Sequence, residues 1–233
     1  MLRRSARALG TYVFRSPVTA GYVGLLLLTH FWLSVVLSTA DAQRAALGIS
    51  TNLSNLTHSP VRSLVGSMLF FDGTLTSLAS QHFVGTLITF GIGVGLCLAW
   101  LERRYGAMRA YAVFALGHVL ATLITAQVIR VAIAHDWYPT SVRHAIDFGI
   151  SYGAEAVLAA GALLLKRARL LAVAATVAWP VLGGDWSGVL PDFTTVGHLT
   201  AAAVGFACGA WLLLTARRGT PAPAAQPDPA YAE

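Results

Sequence analysis

Apolar runs of about twenty residues, most of them closed by arginines or lysines, limit this chain more than any other feature. Residues 18–38, 82–101, 108–129 and 193–215 each read as such a run, the first being 21 residues long. A helix rises about 1.5 Å per residue and the hydrocarbon core of a bilayer is about 30 Å thick, so each run is long enough to cross it. Two further apolar segments are less regular. Residues 147–165 form a helix whose mouth carries Asp147, Ser151 and Glu155, and residues 170–182 are short and broken by Pro180, Gly183 and Gly184. With 56% hydrophobic and 11% charged residues and a mean hydropathy of +0.65, the chain suits a polytopic membrane protein and not a soluble domain.

The expected fold is therefore all-α, a polytopic membrane bundle of six transmembrane helices. Residues 1–17 form an N-terminal segment, 18–216 the membrane domain and 217–233 a disordered Pro- and Ala-rich tail. Ala40-Asp41-Ala42 resembles a signal-peptidase site, but the apolar core before it is long for a signal peptide, which favours a retained span. The connection 39–81 is only partly polar, and its apolar stretch 63–71 is too short to span, so it lies in the interface or re-enters. Asn52-Leu53-Ser54 and Asn55-Leu56-Thr57 have the form of glycosylation sequons.

The net charge of +6 does not point to nucleic acid, because the bases are not gathered into a patch. They sit at the ends of apolar runs. Six spans put both termini on one side, and twelve of the sixteen bases fall there: Arg3, Arg4, Arg7, Arg15, Arg103, Arg104, Arg109, Lys166, Arg167, Arg169, Arg217 and Arg218. Arg44, Arg62, Arg130 and Arg143 fall on the other. The excess marks the side of the termini as cytoplasmic in an integral protein of the plasma (inner) membrane. Cys97 and Cys208 lie within apolar segments and read as packing residues.

Charged and polar groups at bilayer depth usually face a bundle interior or a wet cavity. Asp147, Ser151 and Glu155, four apart, share a helical face. Ser151 and His198 lie at similar distances into two segments that enter from the same face. An imidazole is the usual base for activating a serine hydroxyl near neutral pH. Gly149 and Gly153, then Ala156 and Ala160, line one helix at four-residue intervals. Ala201, Gly205 and Gly209 line the other, a pattern that lets two backbones approach closely. The bland alternative stays open: Ser151 bonds its own helix and the small residues serve packing alone.

Three stretches resemble one family, the rhomboid intramembrane serine proteases. Gly149-Ile150-Ser151-Tyr152-Gly153 looks like their Gly-x-Ser-Gly nucleophile motif. Gly197-His198 followed by Gly205 is similar to their histidine with a glycine seven residues on. Leu101-Glu102-Arg103-Arg104-Tyr105-Gly106 resembles a turn common among them. The resemblance implies Ser151 and His198 as a catalytic dyad, with transmembrane segments of other proteins as substrates entering past the broken fifth segment, and it calls for no metal or organic cofactor. Gly149, Tyr152, Gly153, Glu155, His82 and Thr86 are the supporting or oxyanion candidates. Departures are evident too. Tyr152 stands where the family has glycine, and Thr86 where it has the asparagine of a His-x-x-x-Asn motif beginning at His82. Glu155 replaces an aromatic that stacks on the histidine, leaving it to orient His198, or to pair with His118. His30, alone in the first segment, reads as a packing or hydrogen-bonding residue and not a catalyst. A non-proteolytic relative that binds transmembrane clients is the competing expectation. A transporter is a third, although the sequence shows no inverted repeat.

Overall fold

A computed structural model describes residues 2–71, 73–75, 81–186 and 188–218, and these contain helices and connections with no strand. Helix α1 (Leu2–Arg15) precedes α2 (Pro17–Phe31), which widens into a π-helical turn over Trp32–Val36. Pro17 opens α2 without loss, since a first-turn N–H lacks an intrahelical acceptor anyway. The long connection that follows folds into three short helices, α3 (Thr39–Ile49), α4 (Leu53–His58) and α5 (Pro60–Ser67). The second span runs without a break through α6 (Gln81–Thr86), a π-helical stretch (Leu87–Leu98) and α7 (Ala99–Tyr105). Then come α8 (Ala107–Ala134), a 3-10 turn (Thr140–His144), α9 (Ile150–Leu164), α10 (Arg169–Gly183) and α11 (Phe193–Arg218).

Among the described residues four helices are long and apolar enough to cross a membrane: Pro17–Val36, Phe83–Tyr105, Ala107–Ala134 and Phe193–Ala216. The other two apolar helices, α9 and α10, have 15 residues each, about 22 Å of rise. Helix α9 is the centre of the bundle. It packs against α8, α10, α11 and the π-helical stretch, and twelve of its fifteen residues are buried, too many for a helix with a lipid-facing side. Helix α9 is shorter than α8 and α11 beside it, and Ile146, Asp147 and Phe148, which lead into it, line a cavity.

Close approach to α9 depends on small residues, as the four-residue spacing requires. A Cβ added to Gly205 would stand 2.2 Å from the Ala156 carbonyl oxygen, and one added to Gly117 of α8 would stand 2.1 Å from the Ala156 Cβ. Helix α9 starts at Ile150 and not at Asp147. The Asp147 carbonyl accepts the Thr51 N–H at 2.9 Å, and its N–H donates to Ser50 Oγ at 2.8 Å. Those bonds to the first connection hold Asp147 out of helical geometry.

The first connection is more ordered than its composition suggests. Asn52 caps α4, accepting the Asn55 N–H at 2.9 Å, and the Asn55 amide donates to the carbonyls of Leu47 and Ser50 at 2.6 and 2.9 Å. Both sequon asparagines are thus engaged by the fold. The stretch 63–71 begins as α5, whose Val61 and Val65 face outward, and ends at Phe71, which is buried. His30 stacks on Phe71 with centroids 4.4 Å apart, the packing role expected of it. The tail, 219–233, lies outside the described residues.

Glu102 fastens the first span to the second. Its buried carboxylate accepts the N–H groups of Val18 and Thr19 at 3.1 and 2.8 Å and the Thr19 hydroxyl at 2.6 Å. A negative charge at free first-turn N–H groups is favourable, so Glu102 caps α2 from another helix. The chain then reverses at Gly106, whose φ of +87° is strained for any residue with a Cβ.

Candidate active site

Gly149 caps α9, and the first N–H of the helix to reach back to a carbonyl one turn earlier is that of Gly153, which donates to Gly149 at 3.1 Å. The N–H of Ser151, one residue into the helix, belongs to the set that helical geometry leaves without an internal acceptor. Gly149 is there for space. A Cβ would meet the His118 ring at 1.7 Å, because His118 of α8 lies directly against the turn that presents Ser151. His118 Nε2 lies 2.9 Å from the Leu64 carbonyl, with the Ser67 hydroxyl at 3.5 Å. This ring therefore joins α5, α8 and the start of α9.

Ser151 and His198 line one cavity of about 440 Å³, together with Thr86, Phe90, Asp147 and Trp179 among others. The two side chains face the same hollow but are not hydrogen-bonded to each other. The Ser151 hydroxyl donates to the Phe148 carbonyl at 3.4 Å, the back-bond of an ordinary helical serine. His198 Nε2 is buried and has no partner. The edge of Tyr152 (5.2 Å between centroids) and the tilted indole of Trp179 (5.3 Å) confine the imidazole.

Tyr152, standing where a small residue was expected, is fully buried between α8, α9 and α11 beside Ala121 and Ala201. Gly197 makes room for it: a Cβ there would fall 2.2 Å from the tyrosine ring. Gly153 likewise faces the Phe114 ring, which a Cβ would approach to 2.6 Å. Thr86 reaches the cavity, where its hydroxyl accepts the Thr74 N–H at 3.2 Å. The side chain of His82 lies outside the described residues.

Glu155 makes no hydrogen bond to either His198 or His118. It is 1% exposed, and one carboxylate oxygen accepts the Trp179 indole N–H at 2.7 Å while the other has no partner. Trp179 is the residue that sequence reasoning missed. The indole spans from Glu155 to the His198 ring, and so supplies the aromatic neighbour that Glu155 displaces. A tryptophan beside Pro180 in a helix of small residues was the available signal.

Asp192 fixes the entry of α11. Its carboxylate accepts the N–H groups of Thr194 and Thr195 at 2.9 and 3.1 Å, both their hydroxyls, and the Asp185 N–H at 3.0 Å. Burial pushes this carboxyl up, but those bonds to Thr194, Thr195 and Asp185 outweigh it and hold it below the usual range. Asp147, on the cavity wall, moves the other way. Burial pushes it up to about 6, against the lowering effect of the Tyr152 and Thr51 hydroxyls.

A family model described as rhomboid-like protein matches residues 11–219, nearly the whole chain. The chain belongs to the rhomboid-like family. No curated protein and no solved structure gives a match. Membership, together with the long apolar helices, makes this an integral membrane protein of helical architecture.

Proposed function

We propose that this rhomboid-like protein is an intramembrane serine protease that cleaves transmembrane segments of other membrane proteins, with Ser151 as nucleophile and His198 as base. The observation carrying this reading is that a serine hydroxyl and an unpartnered imidazole nitrogen share one cavity at the mouth of the central helix. A back-bond as long as 3.4 Å is weak, and turning Ser151 to another staggered rotamer releases the hydroxyl toward the hollow. Apo catalytic contacts commonly tighten only with substrate bound.

In the reaction, neutral His198 takes the proton from Ser151 Oγ as the oxygen attacks the scissile carbonyl carbon. The tetrahedral oxyanion is met by the Ser151 N–H at the start of α9, where the helix dipole adds to the attraction. The protonated imidazole gives its proton to the leaving amine. Water, deprotonated by the same ring, then hydrolyses the acyl-enzyme. Thr86 lines the same cavity, and in this reading its hydroxyl supports the oxyanion. In the proposed topology all six apolar helices cross the plasma (inner) membrane, and the arginine-rich termini are cytoplasmic.

The test compares cleavage of a single-span substrate by purified protein with that by Ser151→Ala and His198→Ala, alongside fluorophosphonate labelling. Loss of cleavage in both variants, with labelling confined to Ser151, supports the dyad. Equal cleavage by all three excludes it. Client binding with neither cleavage nor labelling identifies a non-proteolytic binder.

A further inference from the structure

We propose that the hollow between α4, the end of α8 and the 3-10 turn is a seat for a phosphate-type oxyanion, with Arg130 and Arg143 as its two clamps. The three elements pack on one another and border a space of about 280 Å³, lined by Ser54, His58, Arg130, Arg143 and His144 among others. No aspartate or glutamate lines it. Leu53 and Leu56 of α4, Ala126 and Ile129 of α8 and Val142 of the turn join in one small apolar cluster. Ile129 and Val142 directly precede the two arginines, so this packing fixes the backbone from which each one projects. The hollow shares no lining residue with the cavity of Ser151, and the proposal stands apart from the serine chemistry.

Charge calls for an anion here. Arg44, Arg62, Arg130 and Arg143 are the bases that the charge pattern puts opposite the termini, where an orientation signal requires none. Arg44 is answered by Asp41. Arg130 donates to the neutral Gln127 side-chain carbonyl at 3.4 Å, and Arg143 has no partner among the described residues. Two cations held at one hollow repel each other, and an anion bound between them turns that cost into attraction. The C-terminal end of α8 favours a cation at Arg130 in its own right. It does not account for Arg143, His58 and His144, which other elements bring to the same place.

Geometry selects the anion. A carboxylate offers two oxygens in one plane, whereas the polar groups here come from three elements. A tetrahedral phosphate presents oxygens to all of them, and a guanidinium fork meets phosphate with two parallel N–H bonds. The space is smaller than the roughly 300–1,000 Å³ of sites for drug-sized molecules, which leaves a free phosphate or a single headgroup. The neighbouring surface favours the headgroup. Leu116, Leu120 and Leu123, all exposed, share a face of α8 with Gln127 and Arg130. From Leu120 to Arg130 the helix rises about 15 Å, the hydrocarbon depth of one leaflet, so an acyl chain lying along these leucines brings its phosphate to Arg130.

Purified full-length protein in maltoside micelles is titrated by calorimetry with inorganic phosphate and, separately, with a short-chain phosphatidylglycerol or phosphatidylcholine. Saturable binding of phosphatidylglycerol, tighter than that of phosphatidylcholine and displaced by inorganic phosphate, is expected. Arg130→Gln and Arg143→Gln should each weaken it about fivefold, the contribution of one basic residue near an anionic headgroup, and together by more than about tenfold. Arg62, exposed and outside the hollow, serves as the control. Arg62→Gln removes one charge from the same side of the protein and should leave the affinity unchanged.

Binding of inorganic phosphate without phosphatidylglycerol, and weakened by Arg143→Gln, supports the seat and assigns it to the free anion. Lack of saturable binding by either probe overturns the proposal. So does a loss in Arg62→Gln equal to that in Arg143→Gln, the mark of diffuse surface charge. The two clamps stand on different elements, so if one variant fails to fold, the other, with an unchanged melting temperature, still reads the site; full affinity there overturns the proposal too. Ser151→Ala should bind both probes like the wild type, which separates failure of this seat from failure of the protease reading.

Discussion

Replacing Trp179 by Phe removes one hydrogen-bond donor and little else. The Glu155 carboxyl is 1% exposed, and the indole N–H at 2.7 Å is its one partner, its second oxygen having none. Phenylalanine keeps an aromatic ring near His198 but leaves both oxygens buried without a donor. Stranding a buried polar group costs about 1–3 kcal/mol, whereas removing both members of such a pair is close to neutral. Trp179→Phe should therefore destabilise the protein by about 2 kcal/mol in the wild-type background and by less than about 1 kcal/mol when Glu155 is already Leu. The assay is equilibrium denaturant unfolding in mixed micelles of the four proteins of this double-mutant cycle, with a common m-value as the condition for comparing them. Equal losses in both backgrounds would show that Trp179 acts by packing alone and refute the reasoning.

Other perturbations follow from the same geometry. Gly197→Ala should lower stability by about 1–3 kcal/mol through overpacking against Tyr152, and Tyr152→Leu in the same chain should recover part of the loss in a thermal melt. Glu102→Ala should cost about 2 kcal/mol, with faster amide exchange in the first turn of α2 as its local signature, and Glu102→Gln should cost less. Asp147 has a carboxyl raised to about 6, so its neutral form favours the fold and its contribution, complete below about pH 4, is lost as pH rises through 6. Asp147→Asn should accordingly gain on the wild type between pH 4 and 7 by up to about 3 kcal/mol, less what water at the cavity mouth screens, read from melting temperatures across that range.

The run lengths made the long helices readable, because lipid leaves a chain few ways to satisfy its backbone. The glycines and alanines at four-residue spacing were readable for the same reason: only small residues allow the approach that Gly205 makes to Ala156. Ser151 and His198 could be placed at one depth by counting turns, and the structure brings them to one cavity. The partners of the polar groups were not readable. Glu155 meets Trp179 across 24 residues and a change of helix, and periodicity carries no information about which side chain of a neighbouring helix will face inward. The start of α9 was misjudged for a related reason. Local pattern extends the helix back to Asp147, while bonds to Ser50 and Thr51, nearly a hundred residues earlier, end it at Ile150. The π-helical stretch Leu87–Leu98 was also hidden, since its extra residue per turn leaves the apolar character of the segment unchanged.

The carboxylate of Glu102 is synthesised 83 residues after the threonine it holds. Until the ribosome has made the second span, the first turn of α2 lacks the carboxylate that caps it, and only contacts further along the helix, from Tyr22 to Met68 and from Thr29 to Leu69, can have formed. Assembly of this protein thus has a built-in order: the opening helix is inserted early but locked late, by a residue whose arrival reports that its neighbour is in place.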